Sequence, residues 1–244
     1  WHGPIGYFHH VPVPEPTAWK RIPQARALAA ALREYDHIGV QTERDARHLR
    51  AILGRHAPPV EAHPIQVDAA RVRAAAEEAD GALDEHAIGG RTVLFGVDRL
   101  DYTKGLPLRL EAWELVLERR PELREQAVLV QWAAPSREGV DEYREERAAV
   151  EAIAARIEER FGAGRSPLHL VLEPHSPAET AAALARADIA LVTSVADGMN
   201  LVAKEFAALH AADRPGVLVL SDGCGAVEEL GAAVIVDGRS ASAI

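Results

Sequence analysis

The chain has 244 residues, 48% of them apolar, which is enough to bury a substantial core as one domain or as two small ones. A formal net charge of −10 argues against nucleic acid or an anionic membrane surface as the main partner, while leaving room for a local basic pocket that holds phosphates. A single cysteine, Cys224, excludes an intrachain disulfide framework and points to a reducing, cytoplasmic compartment, and no apolar run has the length needed to span a bilayer.

Ile5 to Phe8 reads as a short strand, ended by His9-His10 and by Pro12, Pro14 and Pro16, whose fixed φ holds the following loop rigid. On spacing alone, His10 is a strand-end histidine satisfied by neighbouring backbone. Ile22 to Tyr35 is apolar at helical spacing (Ala25, Leu28, Ala29, Leu32), Ile38-Gly39-Val40 is a buried strand, and Thr42 is an N-cap for a helix running towards Gly54. Glu43, Arg44, Asp45, Arg47 and Arg50 are expected on the solvated face of that helix. Val60 to Val67, broken by Pro64, is a short strand or extended pair. Asp68 to Ala87 is charged and alanine-rich, a helix followed by a crossing, with Gly89-Gly90 as hinge, so the domains are expected to be residues 1–88 and 89–244.

Beyond the hinge, strands at 91–97, 127–133, 168–172, 189–193, 217–220 and 233–236 alternate with helices at 106–120, 139–161, 177–186 and 200–210 and a short one near 226–230. Such alternation implies an α/β domain with a parallel sheet covered on both faces. Ser176-Pro177-Ala178-Glu179 combines an N-cap, a proline at the first helical position and an acid at the third. The helix over 139–161, rich in Glu and Arg at helical spacing, reads as a solvated flank.

Two stretches carry chemistry. Asp98-Arg99-Leu100-Asp101-Tyr102-Thr103-Lys104-Gly105 follows one apolar strand, and Asp197-Gly198-Met199-Asn200-Leu201-Val202-Ala203-Lys204-Glu205 links another to a helix. The chain has only three lysines, Lys20, Lys104 and Lys204, and two fall inside these motifs. Arginine as a planar fork and lysine as a mobile point charge suit a diphosphate, and an Asp-Gly turn opening a helix presents backbone N–H groups to an anion. Plainer readings are an Asp101/Arg99/Lys104 surface cluster and a helix start with a solvated Asp197. Arg99, Lys104, Arg137 and Asp197 each follow a strand, so they crowd one rim of the sheet, where ligands of such sheets bind. By itself, Arg137 also reads as a helix-start surface residue. No spaced His/Cys/carboxylate cluster reads as a metal site.

Together these stretches resemble the trehalose-6-phosphate synthase family, and Gly6-Tyr7-Phe8-His9-His10-Val11-Pro12-Val13-Pro14, Gly39-Val40-Gln41-Thr42 and Pro135-Ser136-Arg137 match it in the same order. The resemblance covers essentially the whole chain. It implies an α/β fold of two Rossmann-like domains facing a cleft, the GT-B arrangement, with the first domain only partly present. The implied reaction is retaining transfer of glucose from UDP- or GDP-glucose to glucose 6-phosphate, giving trehalose 6-phosphate. By resemblance, Arg99, Lys104, Asp197 and His10 are catalytic, with His10 and Asp197 at the donor sugar. Gly198, Met199, Asn200, Leu201, Val202 and Glu205 bind the donor, Glu205 at the ribose, and Arg137 reads the acceptor phosphate. No cofactor or metal is expected, the partners are the two substrates, and a homo-oligomer is left open.

The sequence departs from the family pattern at His9, at Gln66 where glycine is usual, and at Ser221-Asp222-Gly223-Cys224-Gly225. Those departures keep open a paralogue using glycerol 3-phosphate, or one coupling a GDP-cyclitol to an aminocyclitol phosphate. A non-catalytic sugar-phosphate sensor and a phosphorylase with pyridoxal phosphate on Lys204 are further alternatives. The arginine- and alanine-rich composition suggests a bacterial source.

Overall fold

A computed structural model of the chain describes residues 2–79, 82–136, 139–210 and 215–244. They form two compact units, residues 1–66 with 197–199, and residues 67–196 with 200–244.

The first unit is a three-stranded parallel sheet in the order β1 (Gly6–His9), β2 (His37–Val40), β3 (Val60–Ala62). Helices α1 (Pro16–Trp19) and α2 (Ala25–Leu32) connect the first two strands, and α3 (Glu43–Leu53) connects the second and third. Helix α1 was not anticipated; Pro16, at its first position, has the φ a helix start needs and lacks only an N–H that would be unpaired there. Thr42 caps α3 as expected, its side chain accepting from the N–H of Asp45. The core joins Ile38, Val40 and Val60 to Ala29, Ala46, Leu49 and Leu53.

One expectation for α3 is corrected. Asp45 is 1% exposed and not on the solvated face. Its Oδ2 accepts from the Thr42 hydroxyl at 2.6 Å, and its Oδ1 accepts from the N–H of Val13 at 2.8 Å. His48 Nδ1 donates to the carbonyl of the same Val13 at 2.9 Å. The loop after His10 is therefore fixed by two side chains of α3 as well as by its prolines.

The second unit begins with α4 (Ala69–Glu78) and α5 (Glu85–Ile88). Helix α4 packs against two later helices of this unit, and Arg73 Nε donates to the carbonyl of Ala208 at 3.0 Å. That packing groups residues 67–88 with the second compact unit. Strands β4 (Thr92–Arg99), β5 (Ala127–Ala134), β6 (Leu168–Val171), β7 (Ile189–Val192), β8 (Val217–Ser221) and β9 (Val234–Val236) form one all-parallel sheet in the order β6-β5-β4-β7-β8-β9.

Between them run α6 (Leu106–Arg119), α7 (Leu123–Gln126), α8 (Asp141–Phe161), α9 (Pro177–Arg186) and α10 (Leu201–Leu209). Seven of the eight residues of β5 are buried, as a central parallel strand covered on both faces requires. Leu106, Leu110, Trp113 and Leu117 of α6 meet Val150, Ile153 and Ile157 of α8 over Leu129 of the sheet. The capping box at Ser176 and Glu179 is formed. Among the described residues no helix is long and apolar enough to cross a membrane.

The strand order fixes where a ligand can sit. From β4 the chain moves outward to β5 and β6, then returns to place β7 on the other side of β4. The carboxyl ends of β4 and β7 therefore flank the topological switch point, the place where open parallel sheets leave a crevice.

Candidate active site at the carboxyl ends of β4 and β7

In the second unit, Arg99 ends β4 with its side chain exposed, and a 3-10 turn over Tyr102–Lys104 follows. Asp101 caps that turn: its Oδ1 accepts from the Thr103 N–H at 2.9 Å and from the Thr103 hydroxyl at 2.7 Å. Burial pushes the Asp101 carboxyl up, but the two Thr103 hydrogen bonds, with the charges of Arg99 and Lys104, bring it below the ordinary aspartate value. With 9% exposure, Asp101 is a structural cap and no member of a surface charge cluster. Gly105 closes the turn at φ +66°, where a Cβ would stand 3.1 Å from Val195 Cγ2 and 3.2 Å from the Thr193 carbonyl. The Ala196 N–H donates to the Thr103 carbonyl at 3.1 Å, so the turn bearing Lys104 and the segment leaving β7 are joined directly.

Lys104 is positioned from below by a buried network that the sequence did not announce. Its Nζ lies 3.9 Å from Asp98 Oδ1, and the other oxygen of Asp98 accepts from Arg109 Nη1 at 2.7 Å. The Arg109 side chain is 0% exposed; its Nη1 also donates to Gln131 Oε1 at 2.9 Å and its Nε to Thr193 Oγ1 at 2.9 Å. The network spans β4, β5, α6 and the end of β7. Gly96 makes room for it, since a Cβ there would come within 2.4 Å of Gln131 Oε1 and 2.7 Å of Arg109 Nη1. A signal for Arg109 did exist: it falls three residues after Leu106 and four before Trp113, on the buried stripe of its own helix.

At the other strand, Asn200 takes φ +71°, and its side chain accepts from the Ala203 N–H to cap α10. The first-turn N–H groups of Leu201 and Val202 have no acceptor within the helix, so the turn offers donors and a positive dipole end to an anion. Two turns along, Glu205 is half-buried, and burial raises its carboxyl above the ordinary glutamate value. Lys204 is 5% exposed and ion-paired with Glu229.

Asp197, Gly198 and Met199 group with the first unit. A Cβ on Gly198 would fall 1.9 Å from the carbonyl oxygen of His10, so backbone meets backbone there. The structure thus brings together His10 and the Asp197 turn, two residues expected at one sugar. His9, by contrast, binds the Tyr7 hydroxyl through Nδ1 at 2.9 Å, and burial lowers its pKa. Arg137, the expected phosphate reader, lies outside the described residues.

With this geometry in place, comparison with known proteins is specific. The model of glycosyltransferase family 20 matches residues 2–238. The chain belongs to that family. Among relatives, it is 32% identical over 253 residues to a UDP-forming trehalose-phosphate synthase of Dictyostelium discoideum, covering 96% of this chain and 34% of the relative. A trehalose-phosphate synthase crystal structure from Burkholderia xenovorans, in complex with glucose-6-phosphate, superposes with a TM-score of 0.92 at 30% identity, over 99% of this chain and 58% of that one. An Escherichia coli homologue bound to UDP-2-fluoro glucose gives 0.90 at 33% identity, over 97% of this chain and 57% of that one. This family 20 chain thus spans about a third to a half of the length of such curated relatives.

Proposed function

We propose that the protein is a retaining glycosyltransferase that moves glucose from UDP- or GDP-glucose to glucose 6-phosphate, forming trehalose 6-phosphate. The observation that carries this reading is the junction at the switch point, where the Lys104 turn abuts the segment leaving β7 and a buried Asp98–Arg109 pair holds it. Arg99 and Lys104 stabilise the charge that builds on the departing diphosphate, together with the backbone N–H groups from Gly198 to Leu201. Asp197 and His10 orient the donor sugar, Glu205 holds the nucleotide ribose, and Arg137 receives the phosphate of the acceptor. Cationic side chains do the work a divalent metal performs in other nucleotide-sugar enzymes, so none is invoked. The setting proposed is the cytoplasm of a bacterium.

A product assay crossing UDP-, GDP- and ADP-glucose with glucose 6-phosphate, glycerol 3-phosphate and free glucose tests the reading on full-length protein. Trehalose 6-phosphate as the dominant product supports it. Transfer only to another phosphorylated acceptor would move the protein to a specialised paralogue, and the absence of transfer to any acceptor would leave a sugar-phosphate sensor.

A further inference from the structure

The first unit carries a trio of side chains with the chemistry of metal ligands, one from β2 and two from the end of β3. His37 opens β2, Glu61 is the middle residue of β3, and His63 follows that strand; one ligand atom from each lies within 4.8 Å of the others. Strand geometry brings them together. Side chains alternate across a sheet, so His37 and Gly39 share one face of β2 while Glu61 and His63 share one face of β3. Parallel pairing sets Gly39 beside Glu61, while Ile38, Val40 and Val60 turn into the core on the other face.

Gly39, on the same face, leaves space that its neighbours fill. A Cβ at that position would stand 2.7 Å from Phe8 Cδ2 and 3.3 Å from His63 Cδ2, so the Phe8 ring closes the glycine's space first and the His63 ring lies at its edge. The His37 and His63 ring centroids are 5.7 Å apart, and His63 Nε2 lies 3.6 Å from Glu61 Oε2. A simple Glu61–His63 ion pair accounts for the second distance but not for the convergence of His37 on the same point.

We propose that His37, Glu61 and His63 bind a divalent transition-metal ion, with zinc the best match, and that the ion staples β2 to the segment leaving β3. Two imidazoles and one carboxylate suit zinc, whereas calcium and magnesium take oxygen ligands. Bonds of about 2.0–2.1 Å in a tetrahedral site place ligand atoms roughly 3.3 Å apart. Rotation of the exposed Glu61 and His63 side chains covers the remaining distance, and the fourth position falls to water. The role is structural, so it stands apart from the transfer reaction.

The test is calorimetric titration of the purified protein with zinc chloride, with cobalt(II) absorption as a spectroscopic stand-in. One ion should bind per chain with release of protons, and it should raise the unfolding midpoint. His63→Ala and Glu61→Gln should each weaken binding about tenfold or more, because each removes one of three ligands. His56→Ala, outside the trio, should bind as wild type does. Circular dichroism shows whether each variant is folded, and Glu61→Gln keeps the shape of an exposed side chain should either histidine variant fail to fold. No saturable zinc binding, or wild-type affinity in either Glu61→Gln or His63→Ala, overturns the proposal.

Discussion

Replacing Arg109 with methionine should destabilise the second unit severely, although the residue sits on a helix and the substitution looks modest. The change keeps most of the side-chain volume but strips the 2.7 Å partner from Asp98, whose side chain is only 4% exposed. Removing one member of a buried ion pair costs about 3–5 kcal/mol, because the remaining charge is stranded. Two local features set the position within that range. Lys104 stays near Asp98 at 3.9 Å, and among the described residues Arg109 Nη2 has no hydrogen-bond partner to lose; both favour the lower end. Against them, Gln131 Oε1 and Thr193 Oγ1 each lose a donor, worth about 1 kcal/mol apiece.

An estimate of about 4 kcal/mol corresponds to a fall of roughly 8–16 °C in the unfolding midpoint for a unit of this size. Urea and thermal unfolding of wild type, Arg109→Met, Asp98→Asn and the double variant measure it. The double variant should recover part of the loss, since it no longer buries an unpaired carboxylate. A single-variant cost below about 1 kcal/mol would falsify the claim that the pair holds this part of the sheet together.

Further expectations follow from individual side chains. Lys104→Ala in full-length protein should lower turnover by about 10²–10³ while acceptor affinity changes little; near-normal turnover would make Lys104 structural. Arg137→Ala should raise the acceptor KM more than about tenfold and erase the preference for phosphorylated over free glucose. Glu205→Gln should hold or raise the unfolding midpoint at neutral pH, because burial makes the ionised carboxylate costly to the fold, yet weaken donor binding in a titration with nucleotide sugar.

Glu114 gives the opposite sign. Hydrogen bonds from Arg156, and with them those from Arg160, hold its carboxyl below the ordinary value of 4.5 despite burial. Its contribution is fully present above that value and is lost as the pH falls through the lower folded one. The stability gap between wild type and Glu114→Gln should therefore close on acidification, and a gap that is flat with pH would refute it.

Much of this architecture was legible because parallel strands announce themselves. Apolar runs such as Val93 to Val97 and Ile189 to Val192 are bounded by turn residues, and Thr42 and Ser176 mark their helices with capping chemistry. What stayed hidden was charge turned inward. Asp45 looked solvated because its neighbours Glu43 and Arg44 are charged, yet Thr42-x-x-Asp45 is a pattern that draws an acid back onto the helix start. Arg109 is marked in the sequence only by its place on the apolar stripe of α6. The His37, Glu61 and His63 trio depends on strand register, which sets His37 beside the Glu61-x-His63 pair of the neighbouring strand.

The contact between Gly198 and the carbonyl of His10 has a consequence for anyone diversifying this protein. A side chain at position 198 must displace the His10 backbone, and that backbone continues into Val13, which Asp45 and His48 clamp at both its N–H and its carbonyl. Variation at 198 is thus constrained through a helix more than a hundred residues earlier in the chain. A library randomised at 198 alone should return glycine almost exclusively. One that also relaxes position 45 should recover alanine or serine, with a shifted histidine loop, so the two positions will behave as a single evolvable unit.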